Sequence, residues 1–325
     1  MRISGKYFVR RAFRAFLILI VLIILNFVLP RAMPGSPITR FTGDPRLTPS
    51  FRQKMLEIYG LNKPLWEQFK DYLFNLIHLE FGISYTFYPE PVSSVIKRNL
   101  PWSLFLLFLT IAISTSIGVL IGMYAAWKGG GKDLAITTAA LASRSLPAFW
   151  VGMILILVFS YHFDLFPLSG AITPGKIYLS PFEKIKDIIW HYFLPLVTLV
   201  VFYMTSTILL MRSSMLETLG EPYILTAKAK GVSGWKIIAK HAFRNAILPI
   251  VTNTGINLGF AVSGAVLTET VFGLPGMGTL LYQAVMNRDY PLLQAGFFIT
   301  SLCVVIALFI IDVIYGFIDP RIRYE

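Results

Sequence analysis

Apolar residues in this chain are gathered into long runs rather than spaced at a period of 2 or 3.6. Runs of about 17 or more residues with few charges read as helices that cross a bilayer. The runs at 12–29, 100–126, 134–160, 192–211, 246–268 and 292–317 predict an all-α integral membrane protein with about six transmembrane helices. Arg2, Lys6, Arg10, Arg11 and Arg14 precede or open the first run, as in an export signal. That run continues to Leu29 without a small-residue cleavage site, so it predicts a retained span.

Charge orients these spans. With the N-terminus inside, the leader, the short loop with Lys128 and Lys132, the segment 212–245 and the tail with Arg321 and Arg323 face the cytoplasm. They hold about fifteen basic residues, against about thirteen on external loops roughly twice as long. An excess of Lys and Arg on the cytoplasmic side predicts N-in and C-in. It also explains the net charge of +12 without a nucleic-acid partner. Composition agrees: 55% hydrophobic and 14% charged residues, with a mean hydropathy of +0.66, exclude an ordinary soluble domain.

The organisation that follows is a basic leader and first span over 1–29, an external helical segment over 30–99, and a five-helix core over 100–325 that includes the cytoplasmic loop 212–245. In the external segment, Thr48 and Pro49 start a helix that Gly60 ends. Pro64 begins a second, in which Leu65, Phe69, Tyr72, Leu73 and Leu76 share a face. External scaffold and partner docking both fit. In the cytoplasmic loop, Glu221 and Pro222 suit a helix start and Gly231 its end, and Ser233 can cap a second helix through Trp235, Ile237 and Ile238. Small residues at Ala227, Ala229 and Gly231 suit entry into a groove on another protein; rest on the membrane surface is the alternative.

Catalytic and metal-binding patterns are missing. Gly129 to Asp133 resembles a phosphate loop, but the upstream glycine is absent and Asp133 stands where a Ser or Thr would hold Mg²⁺. His78, His162, His191 and His241 show no ligand spacing, and Cys303 is the single cysteine. The apolar runs hold no set for intramembrane proteolysis. They hold instead small residues four apart, Ser114, Gly118 and Gly122, then Gly255, Gly259 and Ser263, which favour close helix contact. Asn253 and Asn257, one turn apart, line a polar path or bond between helices. Arg144, inside the third run, finds water or a carboxylate, or marks the edge of the span.

The stretch EPYILTAKAKGVSGWKIIAKHAFRNAILPIVT at 221–252 resembles the coupling loop, or EAA loop, of the B-type permeases in the dipeptide, oligopeptide and nickel branch of binding-protein-dependent ABC importers. PGSP at 34–37, FGIS at 81–84, TETVFGLPGMG at 268–278, RDYP at 288–291 and DPRIR at 319–323 extend the resemblance over essentially the whole chain. The place of the loop's three naming letters is taken by Leu225, Thr226 and Ala227, which keeps only the last alanine, and its glycine is Gly231. Leu225 stands where relatives often carry a basic residue, and Ser36 replaces a frequent Asp.

The resemblance implies the type I importer permease fold in the inner, or cytoplasmic, membrane. It implies a non-catalytic subunit, with no cofactor of its own and with ATP and Mg bound by partner ATPases. Its partners would be a homologous second permease, most often a different one, two cytoplasmic ATPases and an external solute-binding protein. Coupling would fall to Glu221, Tyr223, Thr226, Ala227, Ala229, Gly231, His241, Arg244 and Asn245, and the path to Asn253, Asn257 and Arg144. Peptides are the first choice of substrate; oligosaccharides such as β-glucosides and nickel complexes stay open. An ion-driven carrier would place ionisable groups or broken helices near the midplane in paired repeats, and no convincing repeat is present.

Overall fold

A computed structural model of the chain describes residues 5–32, 48–58 and 60–318. The PGSP stretch with Ser36, the DPRIR tail and Arg2 lie outside them, as does the side chain of Ser263. Among the described residues the structure is helical, with one isolated bridge between Ile83 and Pro91. Two compact units form: Met1–Ser103 with Val262–Val266 and Gly276–Glu325, and Leu104–Ala261 with Leu267–Pro275.

In the first unit, α1 (Gly5–Ala32) packs along α14 (Tyr290–Ile318). Between them in sequence come α2 (Pro49–Ile58) and α3 (Leu65–Ile77). Gly60 adopts φ +61° two residues after α2 ends, in the left-handed region where glycine carries no Cβ penalty. Leu76 is buried and Phe69, Tyr72 and Leu73 are half-buried on one face of α3. Leu65 departs from that face and is 64% exposed. The start of α4 (Val92–Lys128) contributes Val92, Val95 and Ile96 to a cluster with Met277, Leu280 and Ala284 of α13 (Met277–Met286) and Leu292, Leu293 and Ala295 of α14. Ser103 Oγ accepts the Met277 N–H at 2.7 Å and so satisfies one orphan donor of α13.

The second unit holds α5 (Gly130–Arg144), α6 (Ala148–Leu155, continued by a π-helical turn to His162) and α7 (Pro181–Leu219). Ser180 caps α7 by accepting the Glu183 N–H at 3.2 Å, and Pro181 fills the first helical position, where its missing N–H costs nothing. The small-residue stripe of α4 lies against α7. A Cβ on Gly118 would stand 2.7 Å from Thr207 Cβ, and one on Gly122 would stand 2.6 Å from the Ile208 carbonyl oxygen. These glycines permit the approach of two backbones, as the spacing predicted.

Four of the predicted runs are helices long and apolar enough to cross a membrane, and two differ. The run 134–160 is a pair of helices, α5 and α6, bent by 88°. The break falls at Ser145–Pro147, where proline disfavours helix in the residue before it. The run 246–268 is divided among α10 (Phe243–Ala246), α11 (Leu248–Phe260), a 3₁₀ turn (Ala261–Ser263) and α12 (Val266–Val271). Thirteen residues of α11 rise about 20 Å, short of the roughly 30 Å hydrocarbon core.

Candidate functional site

The segment after α7 is built as sequence punctuation predicts. Gly220 and Glu221 turn back onto α7 through N–H bonds to Glu217 and Thr218 carbonyls at 3.1 and 3.2 Å. Glu221 is the N-cap residue, Pro222 opens α8 (Pro222–Ala229), and Thr226 Oγ1 donates to the Pro222 carbonyl at 3.2 Å. Gly231, at φ +75°, carries the chain out of the helix and donates its N–H to Lys228 O at 2.9 Å. A residue with a Cβ pays about 1–2 kcal/mol in that conformation. A Cβ there would meet nothing within 4 Å. Ser233 precedes α9 (Gly234–Lys236) without a side-chain cap bond; a π-helical turn (Ile237–Ala242) then leads into α10.

The helix divides cleanly into two faces. Ile224 is fully buried and Ala227 is 7% exposed, packed in a cluster with Val119, Met123 and Ala126 of α4, Met211 and Met215 of α7, and Ile237, Ile238, Ala242, Ala246 and Ile250. Ala227 is therefore spent on the chain's own core. Glu221, Tyr223, Leu225, Thr226, Lys228, Ala229, Lys230 and Gly231 are exposed. Asn245 Nδ2 donates to Tyr223 Oη at 2.7 Å, which ties α8 to α10. Arg244 beside it is exposed and His241 half-buried. Tyr223 and Asn245, separated by 22 residues in sequence, thus meet at an exposed surface.

Next to this seat, Asp133 and Arg212 form a two-pronged ion pair, Nε to Oδ1 at 2.5 Å and Nη2 to Oδ2 at 2.6 Å, joining α5 to α7. Thr137 Oγ1 also donates to Asp133 at 3.3 Å. The sequence showed these charges but not that they meet. Trp127 and Trp235 stand with ring centroids 5.3 Å apart, and Lys128 Nζ lies 4.1 Å from the Trp127 centroid, within cation–π range.

The polar positions of the spans fall elsewhere. Asn253 and Asn257 are half-buried on α11, and on its intervening turn Thr254 bonds Thr115 of α4 at 3.4 Å. Arg144 is exposed as the last residue of α5, at the 88° bend, and pairs with no carboxylate among the described residues. No group of three or more His, Cys, Asp or Glu side chains positioned to hold a metal ion occurs among the described residues.

Long apolar helices, with a short helix packed against two of them by one face and exposed on the other, fit a multi-pass membrane protein. The family described as binding-protein-dependent transport system inner membrane component matches residues 118–324, and its N-terminal counterpart matches 5–107. The chain is 34% identical over 319 residues to the dipeptide transport system permease protein DppB of Escherichia coli K12, covering 93% of this chain and 94% of that protein. It is 35% identical over 321 residues to the oligopeptide transport system permease protein AppB of Bacillus subtilis 168, covering 98% and 100%. A probable peptide ABC transporter permease of Sinorhizobium fredii is 36% identical over the same shares of the two chains. The chain belongs to the binding-protein-dependent transport system inner membrane components, among the B-type permeases of the dipeptide and oligopeptide branch. It is a non-catalytic, multi-pass inner-membrane subunit of an ABC importer.

Proposed function

We propose that the chain imports di- and oligopeptides, forming the translocation path with a homologous second permease. Its end-to-end similarity to peptide permeases carries the substrate class. Nothing favours the oligosaccharide, nickel or ion-driven readings over it. A permease without an energy source needs a partner that binds one of its conformations better than the other. Two cytoplasmic ATPases, binding ATP and Mg, supply that bias, and an external solute-binding protein delivers the peptide.

Coupling runs through α8. Its outward face, with Tyr223, Leu225, Thr226 and Ala229, enters the ATPase groove, and Glu221 and Gly231 delimit the part that enters. Ile224 and Ala227 transmit the motion inward through the cluster they share with α4 and α7. Tyr223, Asn245, Arg244 and His241 carry it toward α11, where Asn253 and Asn257 face the path. The bent pair α5–α6 and the broken segment α10–α12 complete about six crossings with both termini inside, and Arg144 faces water at the bend. The core over 100–325, with its loop 212–245, performs transport; the external segment 30–99 serves as scaffold.

Uptake of labelled peptides into proteoliposomes holding this chain, a second permease, the ATPases and a binding protein tests the proposal. Saturable uptake that needs ATP and this chain is expected. Uptake driven by an ion gradient without ATPases would overturn it.

A further inference from the structure

In the first unit, a cavity of about 290 Å³ opens beside the C-terminal end of α1, between α3 and the start of α14. Its wall includes Arg31, Gln68, Tyr72, Glu80, Tyr290 and Gln294. Arg31 is half-buried, and among the described residues no carboxylate pairs with it. Its Nε and Nη2 donate to Gln68 Oε1 at 3.3 and 3.0 Å, and Nη1 donates to the Phe27 carbonyl at 3.0 Å. A guanidinium has five N–H donors, so two are left over. Tyr72 Oη and Gln294 Nε2 are buried without a hydrogen-bond partner. Of the two carboxylates in the lining, Asp71 is held by Lys63 at 2.6 Å and Glu80 is exposed, so a guanidinium without an ion-pair partner and two orphaned groups on facing helices call for an acceptor-rich anion. Burial pushes the Tyr72 phenol up to about 12, so it stays a neutral donor.

The elements around the cavity identify the source of that anion. Exposed apolar residues run along α1, among them Val21, Ile24, Leu25, Val28 and Leu29. On α3, Leu65, Trp66, Phe74 and Ile77 are each more than 60% exposed. A lipid-facing span ending in an arginine, beside a helix that exposes tryptophan and aliphatic residues, describes the headgroup level of a bilayer. We propose that this cavity is a phospholipid-headgroup site in which Arg31 holds the phosphate and the acyl chains lie along α1. The cavity is large enough for a headgroup and too small for a whole lipid. Glu80, exposed at the edge, offers a carboxylate to an amine, which suits phosphatidylethanolamine.

The test uses the full chain in mild detergent, stripped of lipid, and follows its unfolding temperature during titration with short-chain phosphatidylethanolamine and, separately, inorganic phosphate. The lipid is expected to raise it saturably. Arg31→Gln should weaken the apparent affinity at least tenfold and Tyr72→Phe several-fold. Arg98→Gln, which removes an equal charge outside the cavity, should respond as the parent does. Should Arg31→Gln fold poorly, Tyr72→Phe still decides, since it removes only a hydroxyl. An Arg31→Gln chain that folds and responds like the parent, an unaltered Tyr72→Phe affinity, or a response to inorganic phosphate but not to the lipid would each overturn the assignment.

Discussion

Ser84 and Asp289, 205 residues apart, meet in a buried junction where the Ser84 hydroxyl donates to Asp289 Oδ2. The same carboxylate oxygen accepts the Thr86 N–H at 2.8 Å, and Oδ1 accepts the Leu292 N–H at 3.2 Å, in the first turn of α14. Ser84 Oγ in turn accepts the Phe87 N–H at 3.1 Å. One carboxylate therefore organises the 84–87 turn and the start of the last helix.

Asp289→Ala would leave buried donors unpaired, at about 1–3 kcal/mol for each donor that water cannot reach. Ser84→Ala removes the bond to Asp289 and the bonds that Ser84 Oγ accepts from Thr86 and Phe87, but leaves the Thr86 N–H on Asp289, so it should cost about 1–2 kcal/mol, less than Asp289→Ala. Thermal unfolding in detergent should rank parent, Ser84→Ala and Asp289→Ala in that order; equal melting of all three would show that the junction holds nothing together.

Gly122→Val should prevent α4 and α7 from packing, because its first side-chain carbon would collide with backbone at Ile208 rather than with a side chain able to swing away. Overpacking of this kind costs about 1–3 kcal/mol or more. Loss of monodisperse protein on size-exclusion chromatography is the expected result, with Gly131→Val, whose surroundings are empty, as the tolerated control.

The pair Asp133–Arg212 is suited to a double-mutant cycle. Either single change to alanine should destabilise the second unit by more than half of what the double change does, since each leaves a partly buried charge alone. Additive losses in chemical unfolding would mean that the two groups act independently.

Two substitutions separate the roles of Gly231. Asparagine tolerates the left-handed backbone, and the space around the Cβ is empty, so Gly231→Asn and Gly231→Trp should both fold. If α8 and its end enter an ATPase groove, the tryptophan variant should lose most ATP-dependent uptake while asparagine keeps a large part of it. Equal uptake by both would remove Gly231 from the docked surface.

Tyr223→Phe deletes the bond from Asn245 and leaves the ring in place. Uptake should fall several-fold while ATP hydrolysis by the assembled complex persists, the signature of lost coupling. Parallel loss of both would point instead to failed assembly.

What the sequence revealed and what it hid divide along physical lines. The helices α1, α4, α7 and α14 were legible because a long apolar run has few alternatives to a spanning helix. The limits of α8 were legible because Pro222 and Gly231 act locally, through a missing donor and a left-handed backbone. The bend at Ser145–Pro147 was missed because hydropathy averages over it, although Pro147 was the signal available. RDYP and FGIS could be recognised as family stretches, yet nothing local to either announces that Asp289 bonds Ser84 and Thr86. The inward turn of Ala227 was equally hidden, since small size suits a foreign groove and a tight native core alike.

The pairing of α1 with α14 has a consequence for how the protein is made. About 260 residues separate the end of the first helix from the start of the last. At synthesis rates of roughly 5–20 residues per second, α1 waits about 13–50 s before its neighbour exists. For that interval it has lipid and, through Phe27 and Arg31, the short helix α3 beside it, and the first unit becomes complete only once α14 has been made.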